Sequence, residues 1–290
     1  EWRFTRPGEK EQLTLTSHGY RSSIDDIGYR AAFDFRPSPR HHIRFGQDYT
    51  YHRFQPQTYN RFDNYQTNSE AKADTIETHS YNKNVAHQLT FYAEDEMTLN
   101  EKWSLNGGVN ADVFHISGKT FATLSPRLSM KFQPTERLSL KASYTLMSQF
   151  VHKIANSFLD LPTDYWVPTT ARLHPMRSWQ VAAGAYMKPN KHWLLSLEAY
   201  YKRSSHILQY SSWAGLEPPA ANWDYMVMEG DGRSYGVELD ADYNVSNLTL
   251  HGSYTLSWTE KKFDDFYDGW YYDKFDNRHK LTLTGRWNIT

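Results

Sequence analysis

Three stretches of the chain gather aromatic rings beside acidic or histidine neighbours. Residues 150–176 hold Tyr165 and Trp166, with Phe150, His152 and Phe158 nearby. Residues 205–231 hold Tyr210, Trp213 and Trp223, with His206, Asp224 and Tyr225. Residues 260–277 hold Trp270 and Tyr271, with Phe263, Asp264, Asp265, Phe266, Tyr267 and Tyr272. Such rings stack on sugars, peptides or flat chelates, and acidic neighbours supply polar anchors. Tyr165, Trp166, Tyr210, Trp213, Trp223, Trp270 and Tyr271 are therefore the ligand-binding candidates. The competing reading is that the rings pack these segments against each other or against a partner lid.

Other chemistries find less support. The chain has no Gly-x-Ser-x-Gly elbow and no glycine-rich phosphate loop, so no catalytic residue is assigned and no enzyme is expected. Its 13 histidines are scattered, and the adjacent pair His41-His42 stands beside a short turn. With no His-x-x-His cluster near carboxylates, neither a metal site nor a cofactor is expected. The absence of cysteine excludes disulfides and thiolate metal ligands. Lysine plus arginine (32) nearly cancel aspartate plus glutamate (33), and no basic face stands out, which argues against a nucleic-acid partner.

The elements that would position the aromatic segments show themselves through period-two alternation. Val85, Leu89, Phe91, Ala93 and Met97, with His87 and Asp95 as polar exceptions on the same face, alternate with Asn84, Gln88, Thr90, Glu94 and Glu96. The same beat recurs at Trp103–Val113, Leu138–Leu146, Trp193–Tyr201, Tyr235–Tyr243, Leu248–Trp258 and Leu281–Ile289. About twelve strands are predicted, at 11–18, 27–36, 41–54, 83–97, 102–115, 121–132, 138–149, 177–188, 193–204, 232–244, 248–259 and 278–288. Pro126 is a local objection to a central strand, which a bulge or a loop-proximal position would answer.

Short, Pro- and Asn-containing connections at 36–40, 98–102, 133–137, 188–192 and 244–247 alternate with long ones at 55–82, 150–176, 205–231 and 260–277; a brief one falls near 116–120. A mean hydropathy of −0.77 coexists with 16% aromatic residues, 10 of them Trp and 21 Tyr. Both facts fit apolar residues spread along strands rather than gathered in runs. No stretch approaches the roughly 18 apolar residues of a membrane helix. A membrane barrel is not excluded by that, and it explains the asymmetry: short turns at one rim, long loops at the other. Phe35, Trp103, Phe132, Trp179, Trp193, Tyr243 and Trp287 are expected to form an aromatic girdle beside the short turns. Charged residues such as Arg30, Asp34, Arg44, Asp48, Glu94, Asp112, Arg127, Lys141, Glu198 and Asp240 would face the interior. A soluble β-sandwich, propeller or solenoid also alternates, but has no reason to sort its connections by length or to put rings at strand ends.

Several runs also carry a family likeness. Leu124-Ser125-Pro126-Arg127-Leu128-Ser129 is followed by Phe132-Gln133-Pro134-Thr135-Glu136-Arg137-Leu138-Ser139-Leu140-Lys141-Ala142-Ser143-Tyr144. Later come Ser196-Leu197-Glu198-Ala199-Tyr200-Tyr201-Lys202, Gly230-Asp231-Gly232-Arg233-Ser234-Tyr235-Gly236-Val237-Glu238-Leu239 and Phe275-Asp276-Asn277-Arg278-His279-Lys280-Leu281. In their order these resemble the middle-to-late barrel of TonB-dependent outer-membrane receptors, in the divergent form common in Bacteroidetes. The resemblance implies an all-β transmembrane antiparallel barrel, here about twelve strands of a 22-stranded whole, in the outer membrane of a Gram-negative cell. It implies import of a scarce nutrient through a barrel filled by its own plug domain and driven by the TonB complex. A surface lipoprotein lid is a further partner that it allows. The chain shows no plug and no TonB box, and it ends Asn288-Ile289-Thr290 where the family has a terminal aromatic residue. Residues 1–290 are thus expected to be one partial barrel domain, with plug and last strands lying outside it. A smaller complete barrel, a passive porin or adhesin, and a structural barrel of a surface complex are the alternatives. A plug and a TonB box in the whole protein would separate them from a receptor.

Overall fold

A computed structural model describes residues 2–4, 12–67, 70–78, 84–154, 165–211, 223–264 and 267–289, with side chains for 23–55, 84–154, 166–211, 224–264 and 267–289. The strands are β1 (Trp2–Phe4), β2 (Gln12–Ser38), β3 (His41–Thr67), β4 (Glu70–Thr78), β5 (Asn84–Thr98), β6 (Trp103–Ile116), β7 (Lys119–Thr135) and β8 (Leu138–Gln149). They continue as β9 (Val151–Ile154), β10 (Tyr165–Pro168), β11 (Met176–Met187), β12 (Trp193–Tyr210), β13 (Val227–Val245), β14 (Leu248–Lys262), β15 (Tyr271–Tyr272) and β16 (His279–Trp287). One 3₁₀ turn, Trp223–Met226, precedes β13.

Among the described residues, fourteen strands form one antiparallel sheet, and each wall strand pairs with the next wall strand along the chain. β1, β4 and β15 are short additions to the outer ends of longer strands, so 14 minus 3 leaves eleven strands that make the wall. The segments 11–18 and 27–36, expected as two strands, are one continuous strand, β2, of 27 residues. Its partner β3 is equally long and runs through the first part of the expected loop 55–82. A tilted crossing needs only about 9 to 11 residues, so β2 and β3 rise well past the bilayer.

The short turns are tight for local reasons. The side chain of Asn100 accepts from the backbone N–H groups of Lys102 (2.9 Å) and Trp103 (3.0 Å), and Asn190 accepts from His192 (2.9 Å). Thr135 does the same for Arg137 and Leu138, and Ser38 for Arg40. A short polar side chain that bonds its own backbone is what such turns select. On the opposite rim, Ser117 (φ 48°) and Gly118 (φ 78°) form a two-residue hairpin turn between β6 and β7. Positive φ at both positions matches the natural twist of the strands.

Pro126 lies inside β7 with no register break around it. The β7–β8 ladder begins at Arg127, so Pro126 stands where β7 has no partner on that side and its missing N–H costs no bond. The register breaks instead between Phe132 and Thr135, at the Pro134 turn.

The two faces of the sheet are inverted relative to a soluble protein. Leu197, Leu239 and Leu250 are 50%, 48% and 43% exposed, in company with Phe33, Phe45, Phe91, Leu128, Leu140, Leu281 and Leu283. Burial of that face in a water-soluble core would have ended the barrel reading. Rings bound this apolar band on both sides. Beside the short turns, Trp103 stacks on Phe132 (4.2 Å) and Trp193 meets Tyr243 (4.8 Å). Trp179, expected there, sits instead near the other end of β11, where the strand begins at Met176. It starts a row across four neighbouring strands: Trp179 to Tyr201 (5.4 Å), Tyr201 to Tyr235 (6.0 Å) and Tyr235 to Trp258 (5.3 Å). Position parity alone could not tell one rim from the other. Trp193 and Tyr201 are eight positions apart on β12, about 27 Å along a strand and roughly 20 Å along the normal at a tilt near 40–45°. The two rows therefore sit at the borders of the hydrocarbon.

The opposite face carries paired charges. Arg30 bonds Asp48 (2.7 Å) and Arg44 bonds Glu94 (2.6 Å). Thr90 donates to Asp112 (2.6 Å), Tyr186 donates to Glu198 (2.6 Å), and Lys141 lies over the Tyr186 ring. Arg127 on β7 reaches across β6 to the same Glu94. Gly108 permits this, because a Cβ there would stand 2.8 Å from the Arg127 guanidinium and 2.9 Å from the Glu94 Cβ.

Leu239 lies midway between Tyr235 and Tyr243 on the apolar face. Leu239→Arg should destabilise the barrel by about 2–4 kcal/mol, the cost of a guanidinium near the bilayer midplane. Asp240→Asn, one residue away on the polar face, should change it by under ~1 kcal/mol. Denaturant titration of the protein refolded into lipid vesicles checks both.

Candidate functional site

At the outer ends of the strands the alternation gives way to packing. Phe54, Ala86, Phe114, Ile116 and Phe150 form one buried cluster, with Ile24, Phe121 and Val151 against it. Phe114 stacks on Phe150 at 4.9 Å. Phe54, Ala86, Phe114 and Ile116 all continue the polar-face parity of their strands, so apolar side chains replace charges there once the strand leaves the bilayer. A second cluster joins Ile154, Val167, Leu173 and Val227, with Leu208 and Tyr210 packed on it.

The hairpin β9–β10 sits between these clusters. Val151 pairs with Pro168 and Ile154 with Tyr165. β10 contacts β2 and β3, and β9 contacts β12, so the hairpin bridges wall strands that are far apart in the sheet. His152 is buried in it, with its Nε2 3.1 Å from the Thr169 hydroxyl. Burial pushes its pKa down to about 4, against a smaller opposing pull from Glu229.

The sequence-derived candidates fall into two groups. Trp166 is 46% exposed on β10, next to buried Val167, and Tyr210 packs on the second cluster. Tyr165 opens β10 and Trp223 opens the 3₁₀ turn; their side chains, and Trp213 altogether, lie outside the described residues. Phe158, Asp265 and Phe266 do so as well. The second group is Trp270 and Tyr271. Trp270 lies against two guanidiniums of cross-strand partners, with Arg233 4.4 Å and Arg203 5.8 Å from the ring centroid. Tyr271 pairs with Lys261 in the β14–β15 ladder and meets Tyr267 at 5.6 Å. Arg233 is fixed by Glu260 and Arg203 lies 3.5 Å from Asp231, so the Trp270 platform has a charged frame. Phe150 and Phe263 are buried packing residues, as the competing reading of the aromatic segments has it.

One constellation escaped sequence reasoning. His174, in the connection before β11, His206 on β12 and Glu229 on β13 place their ligand-type atoms within 4.8 Å of one another. Glu229 accepts from the backbone N–H of His174; the Nδ1 atoms of His174 and His206 lie 3.2 and 2.8 Å from its carboxylate. Burial would raise the pKa of Glu229, but these bonds outweigh it and hold the group below the ordinary carboxylate range. His206 has φ 58° and occupies the extra position of a bulge between Ser205 and Ile207. The separation of 55 positions from His174 to Glu229 leaves no spacing signal; only the pairing of β12 with β13 and the return of the chain into β11 bring them together.

An antiparallel sheet with an apolar outward face, ring borders and charged pairs on the inner face is an outer-membrane β-barrel wall. The chain belongs to the TonB dependent receptor-like β-barrel family, whose model matches residues 3–290. No curated protein matches the sequence. Solved structures share the fold. The ferripyoverdine receptor of Pseudomonas aeruginosa superposes with a TM-score of 0.60 at 12% identity, over 99% of this chain and 38% of its own. The ferric yersiniabactin uptake receptor of Yersinia pestis gives 0.58 at 14%, over 97% and 42%. The FrpB iron transporter of Neisseria meningitidis gives 0.57 at 14%, over 87% and 40%. The chain thus spans about two fifths of each of these proteins. It is an outer-membrane, multi-pass β-barrel protein.

The depressed pKa of His152 fixes a pH dependence. A histidine of unfolded pKa about 6.5 that stays neutral to about 4 when packed stabilises its surroundings fully above pH 6.5. That contribution is lost as pH falls toward 4, in total about 3 kcal/mol. Hydrogen exchange of residues 150–154 and 166–173, corrected for intrinsic rates, should accelerate over that window. In His152→Gln the acceleration should disappear.

Proposed function

We propose that this chain is the wall and outer-loop portion of a 22-stranded receptor that imports a scarce nutrient across the outer membrane, powered through TonB. The observation that carries the reading is the match of residues 3–290 to the family barrel. Strand parity adds to it. β2 and β16 both run from the outer rim to the inner one, so an eleven-stranded wall cannot close with every pair antiparallel. Among the described residues these two edges do not pair with each other. An open edge in hydrocarbon leaves N–H and C=O groups unsatisfied at several kcal/mol each. In this reading further strands complete the barrel and satisfy both edges with every pair antiparallel.

In this reading the paired charges of the inner face form the surface on which the protein's own plug domain rests. The N-terminal region beyond this chain would engage the TonB complex. The aromatic segments at the outer rim would capture the solute, with Trp166 as the exposed ring, Trp270 half-buried on its charged frame, and Tyr165, Tyr210, Trp213, Trp223 and Tyr271 around them. A surface lipoprotein is a further candidate partner, seated on the same loops. The three solved relatives are named for iron, ferric yersiniabactin and ferripyoverdine, which places iron chelates first among solutes to test, ahead of haem, cobalamin, glycans and peptides.

The test is uptake of that panel by cells with and without the gene, and with and without TonB. Loss of one solute's uptake in both backgrounds is expected. Uptake that persists without TonB would point to a passive pore, and no change for any solute would sink the import reading. For the solute so found, Trp166→Ala and Trp270→Ala should each weaken binding about fivefold, the worth of one stacked ring at about 1 kcal/mol.

A further inference from the structure

We propose that His174, His206 and Glu229 bind a single divalent transition-metal ion of the zinc class at the outer rim. The donors are two imidazoles and one carboxylate, the set that holds zinc with a coordination position left open. Hard ions such as calcium need six or more oxygen ligands, which one carboxylate does not supply. The geometry is close to what an ion requires. Zinc–nitrogen and zinc–oxygen bonds of about 2.0–2.1 Å place tetrahedral ligands about 3.4 Å apart. Both Nδ1 atoms already lie within 3.2 Å of a Glu229 oxygen, and no separation among the three ligand atoms exceeds 4.8 Å. Small rotations of the two imidazoles would close the remainder.

The backbone is arranged for the same end. His206 is neither glycine nor asparagine, yet it adopts the left-handed region at the centre of a bulge. Such a conformation costs on the order of 1 kcal/mol or more and persists where the surroundings dictate it. Bulges re-aim side chains, and this one brings the His206 ring to 5.0 Å from that of His174. Buried Leu173, beside His174, and buried Val227, two residues from Glu229, belong to one cluster, so the ligands stand on a rigid base. The third ligand is already oriented, because Glu229 accepts the backbone N–H of His174. A cleft of about 250 Å³ adjoins the group, lined by His206, Glu229, Asp231, Lys262 and Asp264 among others. It gives the open position access to water or to an incoming ligand. The ion would tie the connection before β11 to β12 and β13 and fix the rim around the second apolar cluster. None of this depends on what the barrel imports.

The experiment uses the complete receptor in detergent, stripped with chelator and titrated with Zn²⁺ by calorimetry. Wild type should bind one more Zn²⁺ than His174→Ala or Glu229→Gln, while His41→Ala, beside an inner turn, should match wild type. Ca²⁺ should not compete. Equal stoichiometry and affinity in wild type and both variants would overturn the proposal, as would no binding by wild type. If the variants fail to fold, X-ray absorption of zinc on the wild-type protein decides: a shell with two imidazoles supports the site, and one without imidazole refutes it. Zinc binding can stand while import fails, and the reverse, so the two proposals are tested separately.

Discussion

Every other feature of this protein depends on the demand that backbone N–H and C=O groups be paired wherever the chain meets hydrocarbon. Water cannot satisfy them there, and each one left open costs several kcal/mol. Long, uninterrupted antiparallel ladders are the response, and through the bilayer portion of the wall the register is unbroken on pair after pair. Once the ladders are fixed, side-chain direction alternates with no freedom left. One face must then be apolar and exposed, and the other must neutralise its charges internally, as Arg44, Glu94 and Arg127 do across the space that Gly108 leaves open.

The constraint relaxes at the outer rim, and the structure changes character at that height. Strands run on for many residues in β2 and β3, a bulge appears at His206, and a hairpin crosses between distant wall strands. Water can hydrate an unpaired group here, so irregular backbone is affordable, and side chains once again bury apolar surface inward. The two small clusters around Phe114 and Val167 are ordinary hydrophobic cores. They give the rim a shape that polar, solvated loops could not hold. Binding residues belong in this region for the same reason: a rigid wall beneath, and above it backbone free to take the conformations recognition needs.

Much of the wall was legible in the sequence. Alternation identified the strands from 83 onward to within a few residues at most ends, and the sorting of turns by length identified the two rims. Asn100, Asn190 and Thr135 bond their own turns, as residues of their type are expected to. Where the reading slipped, a missing local signal explains it. The stretch 19–26 carries turn-type residues (Gly19, Ser22, Ser23, Asp25 and Asp26) and little alternation, so nothing local shows that β2 runs straight through it. Trp179 has the right parity for a girdle, and only the direction of β11 says which girdle. Of the aromatic segments' rings, Trp166 is exposed at the rim and Trp270 lies half-buried against Arg233, whereas Tyr210 is packed in a cluster and Phe150 is a core residue.

The sequence by itself determined that this is a tilted, alternating wall with an apolar face and a polar one. Period-two patterning is a local property, carried by each residue and its neighbours two positions away. Only the tertiary structure decided which rim residues meet. The grouping of His174, His206 and Glu229, and the cradle of Arg203 and Arg233 around Trp270, arise from strand pairing and chain return over dozens of residues. A contact of that kind leaves no mark at fixed spacing, because its partners are set by register between strands and not by distance along the chain.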